Sequence, residues 1–391
     1  MNTFEKDQEY IAHTYARFPL QIVSGKGSVL TDSEGREYID LGTGIAVNTF
    51  GTADEGWIAA VTAQLNLFSH SSNLFYSAPC ADLAEELCNR TGMKRVFFSN
   101  SGAEANECAI KVARGWGASV YGPDRYTIVT LENSFHGRTL TTLSATGQDV
   151  FHKDFTPLTP GFVHTPANDI EALRKVVAEV KPIAVMFEAV QGEGGVLPLT
   201  REFAEEMAKL SKEYGFLLLA DEVQIGNGRS GSLFGYMNLG ITPDVVTTAK
   251  GLGGGLPIGA TLLGERVQDV FTPGSNGSTF GGNPAVCAGA LHLLKRIDDA
   301  LLAEVREKSE YIFDALTDAE GIRSVSGMGL MIGVETEGDA GEILAKCRER
   351  GVIALKAKSK VRLLPPLNIP FPLLKQAITV LKEVCAECAK G

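Results

Sequence analysis

Short apolar runs alternate with longer amphipathic stretches through most of this chain, and the alternation limits the folds open to it. Apolar residues at three- and four-residue spacing predict helices at Ile170–Val180 and Arg201–Tyr214. Strands that alternate with helices predict an α/β domain whose sheet is mostly parallel, with right-handed crossovers. The predicted strands are Val96–Phe98, Thr127–Leu131, Ile183–Phe187, Leu217–Ala220, Val245–Thr248 and Ile258–Leu263.

The two ends of the chain follow a different pattern. Residues 28–40 alternate about a turn at Asp32–Gly35, which predicts a β-hairpin. Towards the C-terminus, a long helical pattern runs from Pro284 to about Leu316, a strand-like run covers Gly329–Val334, and a last helix covers Leu374–Cys388. These elements predict a smaller α+β lobe beside the large domain.

Composition excludes several classes of protein. A chain of 391 residues with 44% hydrophobic content is long enough to bury one large core and a smaller one. Its net charge of -11 and its lack of clustered Lys and Arg argue against nucleic-acid binding. No apolar run approaches membrane-spanning length, and the N-terminus has neither a signal-peptide nor a transit-peptide pattern, so we expect a cytoplasmic protein.

Cysteine and histidine usage predicts neither a disulfide framework nor a metal site. The seven cysteines are an odd number scattered over a long chain, which fits a reducing compartment. Cys385 and Cys388 form a C-x-x-C, but they lie in a helical pattern without a second pair and are interpreted as ordinary helix positions. The six histidines are dispersed without ligand spacing, so we expect no metal.

Lys250 lies at the end of a predicted strand and directly before the glycine-rich segment Gly251–Gly255. The apolar, β-prone run Pro243–Thr248 precedes it, so its amine is expected to be partly desolvated. Desolvation lowers the pKa of an ammonium group and frees the neutral amine, which can form a Schiff base with an aldehyde. This segment alone leaves open a solvated lysine at a strand end.

Asp221 gives Lys250 a chemical partner. The apolar run Phe216–Ala220 ends at this residue, the pattern of a buried parallel strand that carries a carboxylate to its C-terminal edge. Ligands of open α/β sheets bind at that edge. A pyridoxal phosphate enzyme needs a lysine for the aldehyde and an anion beside the pyridine nitrogen. Lys250 and Asp221 can supply this pair, although a helix N-cap is the alternative role for Asp221.

A third segment has the features of a phosphate site. Ser101, Gly102 and Ala103 follow a predicted strand and precede an amphipathic helix, so their backbone amides and the helix dipole can bind a phosphate. The segment lacks the Gly-Lys-Ser/Thr of a Walker loop and the spacing of a dinucleotide fingerprint. The helix is marked by apolar residues at three- and four-residue spacing, namely Ala105, Cys108, Ala109, Val112, Ala113 and Trp116.

Together these segments resemble the class-III pyridoxal-phosphate-dependent aminotransferases over most of the chain, most closely those members that act on acetylornithine. The resemblance implies the aspartate-aminotransferase fold (fold type I), with a large cofactor-binding domain at residues 51–280. It also implies a small domain at residues 281–391, which the segment 1–50 joins. The motifs that carry it are Phe98–Glu107, Ser134–Thr139, Gln191–Gly195, Asp221–Gln224, Ala249–Gly251, Gly277–Pro284 and Val361–Asn368.

The resemblance implies a role for each residue near the cofactor. Lys250 would hold pyridoxal phosphate as a Schiff base and, once released, move a proton between substrate and cofactor. Asp221 would pair with the pyridinium nitrogen, and Phe135 would stack on the ring, with core packing as its alternative. The residues implied to contact the cofactor are Ser101, Gly102, Ala103, Phe135, Asp221, Val223, Gln224, Lys250 and Thr279.

Two of these implied contacts are specific. Val223 and Gln224 would line the ring, with Gln224 donating to the phenolate oxygen. Thr279 would reach the phosphate of the neighbouring subunit, so a homodimer would be required for a complete site.

The resemblance also implies how two substrates share one pocket. Arg138, with Ser278 nearby, would bind the α-carboxylate of acetylornithine through the forked geometry of a guanidinium. Arg362 would bind the α-carboxylate of glutamate. Glu193 would cover Arg362 while acetylornithine is bound, because an unpaired buried cation is costly. A static Glu193–Arg362 ion pair is the alternative. The implied reaction transfers an amino group from acetylornithine to 2-oxoglutarate in a ping-pong sequence.

The chain departs from the family pattern at two places. Phe50–Gly56 replaces a segment that usually carries two histidines and a proline, and Ala189 replaces the usual proline after Glu188. The sequence leaves open activity on ornithine, succinylornithine, N-succinyldiaminopimelate or 4-aminobutyrate, because pocket shape decides which substrate is accepted. A non-catalytic binding protein on the same fold is a more remote alternative, which the retention of Lys250 and Asp221 argues against.

Overall fold

The computed structural model describes residues 1–389. Its strands are β1 (Ile22–Lys26), β2 (Val29–Asp32), β3 (Glu37–Asp40), β4 (Arg95–Ser99), β5 (Ile128–Leu131), β6 (Phe162–Thr165), β7 (Ala184–Phe187), β8 (Val190–Gln191), β9 (Leu197–Pro198), β10 (Leu217–Asp221), β11 (Val245–Thr248), β12 (Gly259–Leu263), β13 (Ile322–Met328), β14 (Met331–Thr336), β15 (Val352–Ile353), β16 (Leu355–Ala357) and β17 (Lys360–Leu363).

Helices cover both faces of the sheet and form much of the C-terminal third. They are α1 (Thr3–Tyr10), α2 (Thr43–Ala46), α3 (Glu55–Leu67), α4 (Ala78–Thr91), α5 (Gly102–Tyr121), α6 (Leu140–Ala145), α7 (Ile170–Val180), α8 (Arg201–Tyr214), α9 (Pro284–Arg296), α10 (Asp299–Leu316), α11 (Ala340–Glu349) and α12 (Phe371–Ala389). The segment α2 is a single turn whose backbone lies largely in the left-handed region.

The central sheet has seven strands in the order β4-β12-β11-β10-β7-β5-β6. Only β12 runs antiparallel to its neighbours, so the sheet is mostly parallel, as predicted. Side chains alternate along β10: Leu217 and Leu219 pack in one apolar cluster with α5, whereas Leu218 and Ala220 pack in the larger cluster on the opposite face. Burial on both faces explains why these strands are continuous apolar runs.

Two four-stranded sheets and the two-stranded sheet of β8 and β9 lie outside the central sheet. The N-terminal hairpin of β2 and β3 forms as predicted, and β3 pairs in parallel with β15 from the C-terminal part of the chain. That four-stranded sheet has the order β1-β2-β3-β15, and the other four-stranded sheet has the order β13-β14-β17-β16. The pairing of β3 with β15 supports the inclusion of residues 1–50 in the small domain, although α9 packs against α3 and α4. The boundaries at residues 50 and 280 stay predictions.

The sequence prediction was incomplete in three places. All six predicted central strands form, but β6 was missed, because its sequence Phe-Val-His-Thr has a histidine within a short run. The long helix predicted after Pro284 is two helices, since the chain turns at Ile297 and Asp298 and the Asp298 side chain caps α10. The strand predicted at Gly329 begins at Met331, because Gly329 lies in the turn between β13 and β14, with φ of 58°.

Candidate active site

Lys250 and Asp221 lie at the same edge of the central sheet. Asp221 ends β10, and Lys250 follows the end of β11, its parallel neighbour, with Asp221 in register with Thr247. The backbone of Lys250 has φ of 45°, in the left-handed region that favours glycine. A non-glycine residue held there costs of order 1–3 kcal/mol, a cost that is common at functional sites. The fold therefore presents this lysine in a strained turn at the ligand-binding edge.

The surroundings of Lys250 favour the neutral amine. Burial lowers the pKa of its amine; among the nearby charges, Glu193 and Asp221 raise it and Arg362 lowers it, and the net direction is down. Within residues 1–389, its Nζ has no hydrogen-bond or ion-pair partner. A desolvated amine without a fixed partner is free to react with a carbonyl.

The Ser101 segment lies beside this edge. Ser101 caps α5: its Oγ accepts from the Glu104 amide at 3.2 Å and donates to Glu104 Oε2 at 3.0 Å. A Cβ added at Gly102 would lie 2.6 Å from Val223 Cγ1, so glycine is required for this close packing. The first amides of a helix have no carbonyl partner within it. The structure thus places Val223 against the predicted phosphate site formed by Ser101, Gly102 and Ala103.

The loop after β5 places Phe135 and Arg138. The Phe135 amide donates to Glu188 Oε1 at 2.8 Å, and its ring meets Phe151 edge-on, with centroids 5.8 Å apart. Arg138 is exposed, and its guanidinium lies over the Phe151 ring at 4.0 Å and near the Phe135 ring at 5.4 Å. Within the described part of the chain it makes no hydrogen bond or ion pair. It is held by aromatic rings and open to an incoming anion.

Glu188 links two loops of the site. Its Oε1 accepts from Phe135, and its Oε2 accepts from the Gly192 amide at 3.3 Å. Burial, with the negative charge of Asp221, raises the pKa of the Glu188 carboxyl well above its ordinary value. This residue follows β7 and ties the Phe135 loop to the turn that carries Glu193.

Arg362 and Glu193 form an ion pair that includes Gln224. Arg362 Nη1 donates to Glu193 Oε1 at 2.6 Å and to Gln224 Oε1 at 2.9 Å, while Gln224 Nε2 donates to Glu193 Oε1 at 3.2 Å. The side chain of Arg362 is 3% exposed and that of Glu193 is 27% exposed. Burial raises the pKa of Glu193, but the charge and hydrogen bond of Arg362, together with Lys250 and Gln224, outweigh it and hold that pKa below its ordinary value. Gln224 thus contacts both members of the Glu193–Arg362 ion pair.

Ser278 bonds to Asn100, the residue before Ser101, whereas Thr279 has no such bond within residues 1–389. Ser278 Oγ accepts from Asn100 Nδ2 at 3.3 Å and from the Gly281 amide at 2.9 Å. Thr279 is exposed, and no hydrogen bond joins it to another residue in the range 1–389. Its role in a neighbouring subunit stays a prediction.

Sequence reasoning missed several residues of this site. Asn106 and His136 both donate to Asp221 Oδ2 at 2.7 Å. Both residues lie inside motifs that support the family resemblance, but the motifs did not predict their bonds to Asp221. Glu188 was noted only for the residue that follows it, and Phe151, twelve residues after the end of the Ser134–Thr139 motif, had no sequence signal.

The chain is similar to known proteins over nearly its whole length. The class-III aminotransferase family matches residues 10–385. The chain belongs to the class-III aminotransferases. It is 47% identical to the acetylornithine aminotransferase of Haemophilus ducreyi, covering 97% of this chain and 98% of that one. It is 41% identical to the acetylornithine aminotransferase of Caldanaerobacter subterraneus, covering 99% of each.

Solved structures of other aminotransferases share the fold. The N-acetylornithine aminotransferase of Stenotrophomonas maltophilia has a TM-score of 0.85 at 34% identity, covering 98% of both chains. The ornithine aminotransferase of Toxoplasma gondii, which has pyridoxal phosphate at its active site, has a TM-score of 0.94 at 30% identity, covering 99% of this chain and 94% of that one. The predicted fold is therefore confirmed.

The structure adds two further observations. Among residues 1–389, no helix combines the length and apolar character needed to cross a bilayer. In the same range, no group of three or more His, Cys, Asp and Glu side chains is arranged to hold a metal ion.

Proposed function

We propose that this protein transfers the terminal amino group of N2-acetylornithine to 2-oxoglutarate, with pyridoxal phosphate as cofactor. The products are N-acetylglutamate 5-semialdehyde and glutamate, a step of arginine biosynthesis. The observation that carries the proposal is the unpartnered, desolvated amine of Lys250 beside Asp221 at the sheet edge. The near-full-length similarity to acetylornithine aminotransferases supports the choice of substrate.

The residues present suit pyridoxal phosphate. Lys250 has a free amine for its aldehyde, and Asp221 has a buried carboxylate for its ring nitrogen. The amides of Gly102 and Ala103 begin α5, where an anion is favoured. When bound, the cofactor supplies an electrophilic carbonyl and an electron-withdrawing ring.

The protein's own groups carry the remaining steps. Lys250 Nζ would hold the cofactor and, once released by the substrate amine, would remove a proton from the substrate carbon and return one. Asp221 would pair with the ring nitrogen of the cofactor and favour its protonated form. Phe135 would cover the pyridine ring of the cofactor. Its position is fixed by the hydrogen bond from its amide to Glu188.

Two arginines of different accessibility match two kinds of substrate. Arg138 is open and binds the single carboxylate of acetylornithine. Glutamate and 2-oxoglutarate each have two carboxylates, so they need both Arg138 and Arg362. Glu193 covers Arg362 when acetylornithine is bound and must release it for the second substrate. This exchange allows one site to accept both without leaving a buried cation unpaired.

Spectroscopy and a substrate panel test the proposal. Purified protein with added cofactor should show the visible absorbance of a protein-bound Schiff base, and Lys250→Ala should lose it. Steady-state rates with acetylornithine, ornithine, succinylornithine, N-succinyldiaminopimelate and 4-aminobutyrate, each with 2-oxoglutarate, should rank acetylornithine first by kcat/KM. A higher kcat/KM for ornithine would instead place the chain with the ornithine aminotransferases that share its fold.

We also propose a homodimer in which Thr279 completes the partner's site. Exposed apolar side chains support it: Leu67 is 76% exposed, Leu74 89%, Phe75 69% and Phe280 61%. Such a group of side chains on a soluble enzyme indicates a protein interface. Asn73 Nδ2 bonds to the carbonyls of Ser278 and Gly281, so this apolar segment and the Thr279 loop form one surface.

Hybrid dimers test the role of Thr279. Lys250→Ala and Thr279→Ala homodimers should both be impaired. A mixed dimer of the two chains has one site with Lys250 from one chain and an intact Thr279 from the other, and should recover about half the wild-type rate per dimer. If Thr279 served its own subunit, the mixed dimer would be no more active than Thr279→Ala.

We infer a cytoplasmic setting as well. All seven cysteines are free thiols, which supports a reducing compartment. Cell fractionation with antibody detection tests the location.

A further inference from the structure

Two buried side chains hold the backbone turn that carries Lys250. Thr49 Oγ1 donates to the Gly251 carbonyl at 2.7 Å, and Asn227 Nδ2 donates to the Ala249 carbonyl at 3.2 Å. Thr49 and Asn227 are 2% and 3% exposed. The carbonyls directly before and after Lys250 are therefore fixed by two side chains that the mechanism above does not use.

The two donors are themselves held in place. The Thr49 carbonyl accepts from the Leu367 amide at 2.9 Å, and Asn227 Nδ2 also donates to Thr248 Oγ1 at 2.9 Å. Gly251 permits the close approach of the hydroxyl, because a Cβ at this position would lie 2.8 Å from Thr49 Oγ1. The bonds on both sides of the lysine are thus part of a tightly packed structure.

The conformation of Lys250 explains why its turn needs such support. Its φ of 45° lies in the left-handed region, where a side chain with a Cβ is strained. A strained residue keeps this conformation only when the surrounding structure holds it there. Without the two bonds the backbone can relax to a negative φ, which turns the lysine side chain away from the sheet edge.

A third donor approaches the same turn from α3. Trp57 Nε1 donates to the Gly253 carbonyl at 3.2 Å. Thr49 and Trp57 lie on either side of Phe50–Gly56, the segment in which the chain departs from the family pattern. This segment is therefore anchored at both of its ends to the backbone that follows Lys250.

We propose that Thr49 and Asn227 are positioning residues for Lys250. They keep its turn left-handed, so that the amine stays at the sheet edge near Asp221. When either bond is lost, the amine spends less time beside the substrate carbon and proton transfer slows, whereas the arginines still bind the substrate carboxylates. This inference rests on the proposed function, because it concerns the lysine on which that function depends.

Two substitutions at Thr49 separate positioning from packing. Thr49→Val keeps the shape and removes the hydroxyl, whereas Thr49→Ser keeps the hydroxyl. Thr49→Val should lower kcat by roughly 3- to 10-fold, the range for one hydrogen bond between neutral groups, with KM for each substrate within about twofold of the wild type. Thr49→Ser should recover most of kcat.

An isotope effect shows which step has slowed. Acetylornithine is supplied with deuterium on the carbon that bears the reacting amine. The isotope effect on kcat should be larger in Thr49→Val than in the wild type, because removal of that proton by Lys250 has become slower relative to the other steps.

The pKa of the Lys250 amine in the cofactor-free protein gives a readout that is independent of turnover. Burial lowers this pKa, and the charges that act on the amine come from Glu193, Arg362, Asp221 and Glu188, which the variants leave unchanged. Labelling with trace acetic anhydride over a range of pH, followed by mass spectrometry of the Lys250 peptide, reports the pKa. In Thr49→Val the labelling profile should shift to higher pH, because a relaxed turn lets the amine reach water.

Thr43 provides a matched control. Its buried hydroxyl also donates to a backbone carbonyl at 2.7 Å, but the acceptor is Leu364 and not the Lys250 turn. Thr43→Val should lose about as much thermal stability as Thr49→Val and keep the wild-type labelling profile and isotope effect. If Thr43→Val changes both as much as Thr49→Val does, or if Thr49→Val changes neither, the Thr49 bond serves stability alone and the inference is wrong.

Asn227→Gly tests the second bond and decides the question should Thr49→Val fail to fold. Asn227 has φ of 57°, which glycine adopts without strain, so this variant removes the amide and keeps the backbone. It should change kcat and the labelling profile in the same direction as Thr49→Val, and wild-type values would overturn the inference. If the wild-type protein binds no pyridoxal phosphate, the proposed function fails; if it binds and the variants match it, only this inference fails.

Discussion

The inner and outer parts of the site are held in different ways. At the inner end, the Asp221 carboxylate lies on the sheet edge and accepts bonds from Asn106 and His136, both of them buried. At the outer end, Arg138 is exposed and rests on aromatic rings without a hydrogen bond to any residue in the range 1–389. Arg362 is buried but paired with a partly exposed carboxylate.

The difference follows from what each part does. The charge beside the cofactor is the same in both half-reactions, so a rigid network on the sheet edge costs nothing in turnover. In the proposed reaction, Arg362 exchanges Glu193 for a substrate carboxylate when the substrate changes, whereas Arg138 binds and releases a carboxylate of each substrate. Aromatic contacts and an ion pair with a partly exposed acid can be broken more easily than a buried network. Rigidity at the inner end and exchange at the outer end are therefore the features to test.

The largest expected effect is at the inner end. Asp221→Asn removes the anion and keeps the shape, so the ring nitrogen loses its proton and the cofactor loses most of its electron withdrawal. We expect kcat to fall by roughly 10²- to 10³-fold in both half-reactions, the range for loss of one preorganised electrostatic group. Single-turnover absorbance measurements with acetylornithine and with glutamate give the two rates.

Equal losses in the two half-reactions would support a fixed inner end. A loss confined to one half-reaction would show that Asp221 contacts one substrate. The inner end would then not serve both half-reactions alike. Asp244→Asn is a suitable control, because Asp244 directly precedes β11, at the end of that strand opposite to Lys250, and its carboxylate bonds to Arg266.

The next effect is at Arg138. Arg138→Leu should lower kcat/KM by about 100-fold in both half-reactions, since each substrate presents a carboxylate to this guanidinium and a charge-assisted pair is worth about 2–3 kcal/mol. The loss should lie mainly in KM, unlike that of Asp221→Asn. Steady-state kinetics with each substrate varied in turn measures the two parameters.

Arg138→Lys is the matched variant. It keeps the charge but loses the two-pronged geometry, so it should recover only part of the loss. Full recovery would show that charge alone suffices, and a loss limited to the acetylornithine half-reaction would assign the second carboxylate of glutamate to another group.

A smaller effect is expected from Glu193→Ala, which uncovers Arg362. Glutamate should then bind about 5- to 30-fold more tightly, because its carboxylate no longer competes with that of Glu193 for the Arg362 guanidinium. Acetylornithine should react more slowly, because Arg362 is left as an unpaired cation. The pKa of Glu193 is held below its ordinary value of 4.5, so the pair is intact at neutral pH and the effect should be the same at pH 7 and pH 8. Single-turnover rates for the two half-reactions test this.

A static ion pair gives a different result. If Glu193→Ala leaves both half-reaction rates unchanged, the pair does not take part in substrate exchange. Glu193→Gln, which keeps a hydrogen-bond acceptor for Arg362 and Gln224, should fall between the wild type and Glu193→Ala.

The contrast between the two parts also explains what could be predicted from sequence. Strands and the Lys250–Asp221 pair follow local rules: apolar runs form the sheet, and charged residues at their ends mark its ligand edge. Asn106 and His136 meet Asp221 only after α5 and the loop after β5 have packed, so no spacing reveals the bonds. The split of α9 from α10 depends on a cap at Asp298, a short signal within a long periodic pattern.

The smallest expected effect is at Phe151, the ring beneath Arg138. Its centroid lies 4.0 Å from the guanidinium carbon of Arg138, and it also supports the Phe135 ring edge-on. A cation–π contact at an exposed site is worth about 0.5–1 kcal/mol, so Phe151→Leu should raise KM for acetylornithine about two- to fivefold with little change in kcat. Phe151→Tyr should behave like the wild type. The pair Phe151→Leu and Arg138→Leu should be non-additive, because the ring acts only through the arginine. Additive losses in the double variant would show that Phe151 acts on the Phe135 ring instead, and so belongs to the inner part of the site.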